Sequence, residues 1–203
     1  MNKLHQFLRM RRSVRRFKRD PSTGSGQRPV PDTLMDAILH TATFAPSAHN
    51  LQPWRFVQVQ TNGAKEKLGS ALASKLRADM ASEGAPQADI EKRVQHSLAR
   101  INEAPLIIIL CRDKTVLRED TKEEEIMAIQ STAVAGLQLL LAAEAEGLSG
   151  SWVCWVLYAQ SEIIDALKLP GNWLPEAMYF LGYADEEPKK SQRYPSENLT
   201  IIR

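Results

Sequence analysis

Apolar and polar positions repeat with more than one period along this chain, and the changes of period divide it into elements. Leu4, Phe7 and Leu8 recur at helical spacing and predict a short first helix that ends near a run of arginines. Met35, Ile38, Leu39 and Ala42 recur three and four apart, so Asp32 to Thr43 reads as a helix with one buried face and Asp32 as its cap. "WRFVQV", from Trp54 to Val59, alternates apolar and polar residues and predicts a strand. Two charged amphipathic helices follow, Ala64 to Glu83 and Gln87 to Glu103, broken at Gly84 and Pro86. "PLIIILC", Pro105 to Cys111, is a short β-branched run suited to a buried central strand. Lys122 to Glu146 reads as one long helix, apolar nearly all round in its middle and polar only at its ends. Such a helix is buried on several sides, at the centre of a domain or of a dimer. "SWVCWVL" predicts a strand, Ser161 to Lys168 a helix, and "EAMYFLGY" a last strand.

Helices and strands thus alternate in mixed order, which predicts an α+β fold. No internal repeat and no shift of composition divides the chain, so residues 1–203 read as one domain. "PSTGSGQRPVP", Pro21 to Pro31, reads as a flexible surface loop.

Composition narrows the function classes. Hydrophobic residues make up 43% and charged residues 25%, as in ordinary globular proteins. A net charge of +2 gives no global drive towards nucleic acid. Cys111 and Cys154 lie in apolar runs without metal-ligand spacing, so neither a metal site nor a disulfide framework is indicated. The N-terminus has no signal-peptide core, and the apolar stretch Ala133 to Ala145 is short for a bilayer span. The expectation is a reduced, cytoplasmic setting.

Four segments stand out chemically. "RRSVRRFKR", Arg11 to Arg19, suits a solvated basic face, a nucleic-acid patch or a phosphate clamp, in which guanidiniums and a Ser hydroxyl meet phosphate oxygens. "APSAHNLQPW", Ala45 to Trp54, carries Asn50 and Gln52 between Pro46 and Pro53. Each amide offers both a donor and an acceptor, as the edge of a heteroaromatic ring requires. The plainer reading is a polar turn that satisfies its own backbone. "GLSGSWVCW", Gly147 to Trp155, is either a helix end running into a strand or a close approach of backbone to a ligand. "KKSQRYP", Lys189 to Pro195, is a second cluster of cations.

"RRSVR", "APSAHNLQPWRF", "GLSGSW" and "QRYP", in this order, resemble the FMN-dependent nitroreductase superfamily over nearly the whole chain. Within it, the stretch from Ser149 to Pro188 is most similar to the flavin-binding C-terminal domain of the deazaflavin-coenzyme glutamate ligase. The resemblance implies a central mixed or antiparallel sheet flanked by helices, with the long helix at the interface of a homodimer. It implies two FMN sites, each built from both chains. Arg11, Arg12, Ser13 and Arg15 would hold the phosphate and ribityl chain, and Arg193 would return to the phosphate. Pro46, Ser47, Ala48, Asn50 and Gln52 would reach the flavin from the partner subunit. Val153, Cys154 and Trp155 would pass beside the ring. The implied activity is hydride transfer from NAD(P)H to an electron-poor acceptor: a nitro compound, a quinone or an activated alkene. Action on a deazaflavin or its precursor, or flavin binding without catalysis, are the alternatives. No catalytic side chain is expected, because solvent supplies the proton. Trp155, Cys154 and His49 depart from the residues usual at their positions and bear on the choice of substrate.

Overall fold

The computed structural model describes residues 2–24, 26–188 and 191–203. Helix α1 (Lys3–Met10) starts where the Asn2 side chain accepts a hydrogen bond from Leu4 N at 2.8 Å. None of its residues is buried, and Leu4, Leu8 and Met10 stand exposed. Helix α2 (Asp32–Ala42) buries Met35, Ile38 and Ala42, as the spacing predicts. Asp32, however, is its first residue and not its cap. Pro31 is the boundary residue, with φ −61° and ψ 140°, and that extended proline lets the helix begin at once behind it. Asp32 instead places a carboxylate in the first turn, where the helix dipole favours it.

Four strands form one antiparallel sheet in the order β1-β2-β4-β3: β1 (Trp54–Val59), β2 (Leu106–Asp113), β3 (Ser149–Val153) and β4 (Trp173–Gly182). Every residue of β2 is buried, as a β-branched run between two covered faces requires. Helices α2 and α5 (Lys122–Ala145) cover one face, where Met35, Ile38, Leu110, Leu139 and Tyr179 pack together. Helices α3 (Asn62–Ser82), α4 (Gln87–Glu103) and α6 (Gln160–Leu167) belong to the other, where Leu68, Leu72, Ile101, Ile163 and Phe180 meet.

Two strands differ from the expected bounds. The strand expected over Ser151 to Leu157 begins at Ser149 and stops at Val153, and Trp155–Tyr158 wind into a 3-10 turn. Apolar content alone cannot tell a buried strand from a buried turn. The last strand starts at Trp173, ahead of the expected Glu176, because a bulge admits Pro175. Leu110 pairs with Ala177 and Cys111 with Pro175, so Glu176 is left over and reaches Arg112 at 2.8 Å.

Helix α5 is, by length and hydropathy alone, apolar enough to cross a bilayer, yet half of its most apolar window is buried inside the fold. Its opposite face leaves Ile126, Ile129, Val134 and Leu137 exposed. The loop between Pro21 and Pro31 closes on itself through Arg19 and Gln27, which form an antiparallel bridge.

Candidate cofactor-binding site

The arginine run is stitched to the sheet by its two apolar members. Val14 and Phe17 are buried. Ser13 forms a parallel bridge with Gly150 of β3, and Val14 N donates to Gly150 O at 3.0 Å. A Cβ at Gly150 would come within 2.6 Å of the Phe180 carbonyl oxygen, so only glycine lets β3 sit this close to β4. With the apolar pair turned inwards, the polar residues line a cleft of 730 Å³. Arg11, Arg12, Ser13 and Arg15 are all in its wall, and Arg193 joins them from the end of the chain. The Arg193 guanidinium also donates to Ser191 Oγ and to Gln192 O. Lys189 and Lys190 of the same cation cluster lie outside the described residues.

A second cavity of 510 Å³ adjoins the first. Val153, Cys154 and Trp155 form one wall at the end of β3, and Leu76 and Met80 of α3 form another. Arg100 of α4 lines both cavities and joins them into one groove. Burial holds Arg100 below the usual arginine range, and the guanidiniums of Arg15 and Arg93 add to that effect; Glu186 opposes it. Like charges gathered in a partly buried groove are a binding surface for an anion. The groove therefore has a cationic end and a mixed end, where the apolar and aromatic side chains stand beside Asp79, Glu83, Arg93 and Ser97.

The sequence reading did not single out Arg16, Arg100 or Glu186, all of which line the cleft. A signal for Arg100 was present. Arg93, Ser97 and Arg100 are spaced four and three apart, on one side of a helix whose buried stripe is Ile90, Val94 and Ile101.

The proline loop is elsewhere. None of Pro46, Ser47, Ala48, Asn50 and Gln52 lines either cavity. The loop precedes β1, the sheet edge opposite β3, and leans on α5 through Ala48 N, which donates to Ser131 Oγ at 3.1 Å. His49, Asn50 and Gln52 all adopt left-handed backbone, with φ of 51°, 56° and 49°. Asparagine tolerates this; histidine and glutamine do so at a cost, and such strain collects at functional sites. Ser47 Oγ accepts from Gln52 N at 3.1 Å, and Gln52 Nε2 donates to Asn50 Oδ1 at 3.3 Å. The turn does satisfy part of its own backbone, and it also leaves Pro46, Asn50 and Gln52 exposed.

Both cysteines are free thiols, Cys111 buried and Cys154 exposed. Burial pushes the Cys111 thiol up to about 12, which makes it inert.

Comparison with known proteins agrees with the fold. The chain is 28% identical over 198 residues to YfhC of Bacillus subtilis (strain 168), provisionally named an NAD(P)H nitroreductase; the match covers 95% of this chain and 90% of that one. It is 30% identical over 195 residues to the 5,6-dimethylbenzimidazole synthase of Rhodospirillum rubrum, covering 91% and 83%. A Desulfovibrio desulfuricans protein solved in complex with FMN superposes with a TM-score of 0.75 at 24% identity, over 100% of this chain and 98% of that one. These relatives do not carry the narrower likeness to the deazaflavin ligase domain. The profile of the Nitroreductase family matches residues 8–183, from the end of α1 through β4, and this chain belongs to that family.

Proposed function

We propose that the protein is an FMN-dependent oxidoreductase that passes a hydride from NAD(P)H to an electron-poor acceptor such as a nitro compound, quinone or activated alkene. One observation carries the reading. Arg11, Arg12, Ser13, Arg15 and Arg193 converge on one end of a groove whose other end is walled by Val153, Cys154 and Trp155. That donor set suits a phosphate and that wall suits a planar ring, so the residues fit FMN.

When bound, FMN supplies the hydride chemistry by accepting and donating two electrons at its ring. The chain's own residues bind and orient. The arginines and Ser13 would neutralise and fix its phosphate, and Arg100, which lines both cavities, would add positive charge between the two ends of the groove. Val153, Trp155, Leu76 and Met80 would give the ring an apolar wall within that mixed end. No side chain in the groove is assigned a proton transfer, and solvent supplies the proton.

A homodimer belongs to the same proposal. The Pro46–Gln52 loop sits away from its own chain's groove and exposes Pro46, Asn50 and Gln52. The stripe Ile126, Ile129, Val134 and Leu137 on α5 stands uncovered beside it. In this reading two copies pair on α5 about a two-fold axis, which would cover the stripe and offer each loop to its partner's groove. The free thiols suit a reducing, cytoplasmic setting.

The test is anaerobic addition of NADH or NADPH to the purified yellow protein, followed by a panel of acceptors. Bleaching, and recovery on adding an acceptor, are expected. A protein that takes up no FMN overturns the reading. A yellow protein that neither nucleotide bleaches is a flavin-binding protein and not this enzyme.

A further inference from the structure

The arginine cleft contains a carboxylate with an unusual set of partners. Glu186 Oε1 accepts hydrogen bonds from two successive main-chain amides, Arg15 N at 2.5 Å and Arg16 N at 3.1 Å. The chain leading to it is already zipped to the arginine run. Lys18 N donates to Tyr183 O at 2.8 Å, Asp185 N donates to Arg16 O at 3.0 Å, and Phe17 pairs with Ala184. These bonds climb towards Arg15, and at Arg15 and Arg16 the Glu186 side chain takes the place of the main chain. Hydrogen bonds from the Arg15 amide, and then from the Arg16 amide, hold this carboxyl below the usual carboxylate range, so it stays ionised.

We propose that Glu186 is a positioning residue for phosphate binding: it fixes the backbone from which Arg11, Arg12, Ser13 and Arg15 project into the cleft. The inference rests on the reading of that cleft as the phosphate end of an FMN site. Two properties of the side chain act in opposite directions. Its reach, across two amides, orders the clamp. Its negative charge, in the same cleft as the incoming phosphate, weakens the attraction. The proposal is that reach dominates.

Conservative variants separate the two. Glu186→Asp keeps the charge and shortens the reach by one methylene; Glu186→Gln keeps the reach and removes the charge. The full chain, freed of flavin, is titrated with FMN and with riboflavin, which carries the same ring without the phosphate. Wild-type protein should prefer FMN. Glu186→Asp should weaken FMN about tenfold while leaving riboflavin unchanged, as expected when a hydrogen bond to a charged group is lost at one end of the ligand. Glu186→Gln should bind FMN at least as well as wild type. A purely structural role would move both flavins together, and an unchanged FMN-to-riboflavin ratio in both variants overturns the proposal. So does the reverse pattern, in which Glu186→Gln weakens FMN and Glu186→Asp does not, because charge would then be the operative property. A wild type that binds FMN no better than riboflavin fails earlier, at the cofactor reading, and removes the clamp that Glu186 would position.

Discussion

The phenol of Tyr179 on β4 lies against the bare backbone of Gly136 on α5, so close that a Cβ at Gly136 would fall 1.9 Å from the hydroxyl oxygen and 2.8 Å from the ring carbon bearing it. This contact sets how closely the long helix packs on the sheet. Tyr179 is fully buried, and its ring lies 5.4 Å from that of Trp152, so it has little room to yield.

Gly136→Ala should therefore destabilise the protein despite the better helix propensity of alanine. Overpacking a well-packed core costs about 1–3 kcal/mol, and chemical denaturation reads it directly. Because the Tyr179 hydroxyl has no hydrogen-bond partner among the described residues, Tyr179→Phe should be neutral or stabilising. A large loss of stability in Tyr179→Phe would reveal an unseen partner for that hydroxyl.

The phosphate assignment makes a binding prediction. Arg11→Ala and Arg193→Ala remove cations from opposite ends of the chain that line one cleft. Each should weaken FMN by about 1.5–3 kcal/mol, the scale of a hydrogen bond to a charged group. Equilibrium dialysis against FMN checks this, and wild-type affinity in both variants would show that the phosphate binds elsewhere.

Asn50 is exposed; its main-chain amide N donates to Ser47 O at 3.1 Å and its Oδ1 accepts from Gln52 Nε2 at 3.3 Å, and in the proposed dimer its side-chain NH2 would be offered to the partner's groove. A donor at the polar edge of a flavin stabilises the charge that develops on reduction. Asn50→Ala should lower the potential of bound FMN by tens of millivolts, since about 30 mV corresponds to 1.4 kcal/mol for a two-electron couple. If Asn50 only serves its turn, the melting temperature falls and the potential stays where it was.

The exposed α5 stripe predicts an obligate dimer with an interface of roughly 2,000 Å² or more. Leu137→Asp, in that exposed stripe, should produce monomers in sedimentation and release flavin with them. A 22.8 kDa wild-type species that retains flavin at micromolar concentration would refute the arrangement. Leu199, Ile201 and Ile202 extend from the chain end exposed and outside the sheet. Truncation after Glu197 should loosen the dimer if this tail crosses to the partner.

Asp113 predicts a pH dependence of stability. Burial would raise its carboxyl, but Thr115 through side chain and amide, then Asn172 and Arg55, outweigh that and hold it below the ordinary 3.8. Its folded value is thus lower than its unfolded one. The contribution is present above the unfolded value and is lost as pH falls below it. Asp113→Asn should lower stability at neutral pH and flatten the acid side of the stability profile, as measured by denaturant melts from pH 3 to pH 7.

Hydrophobic periodicity is a local property, and what depends on it was legible before folding. The spacing of Met35, Ile38 and Ala42 located α2, the β-branched run after Pro105 located the buried strand β2, and the length of apolar chain after Lys122 located α5. The four chemical segments were legible as well, because Arg, Asn, Gln and Gly confer their chemistry by type. Tertiary structure alone decided the rest. That β3 ends at Val153 follows from its pairing with Met178, and that Pro175 is admitted to β4 follows from a bulge against Leu110 and Cys111. The contact between Glu186 and the Arg15 amide spans 171 residues, and no local pattern encodes a partner so distant. Arg100 joined the candidate site only because α4 lies beside the end of β3, where it lines both cavities. The proline loop rests on α5, away from its own groove, through an anchor, Ser131, that lies 83 residues from Ala48 and beyond the reach of any local pattern. Composition and period specify what each segment can bury or bind; only the packed chain specifies which segments meet.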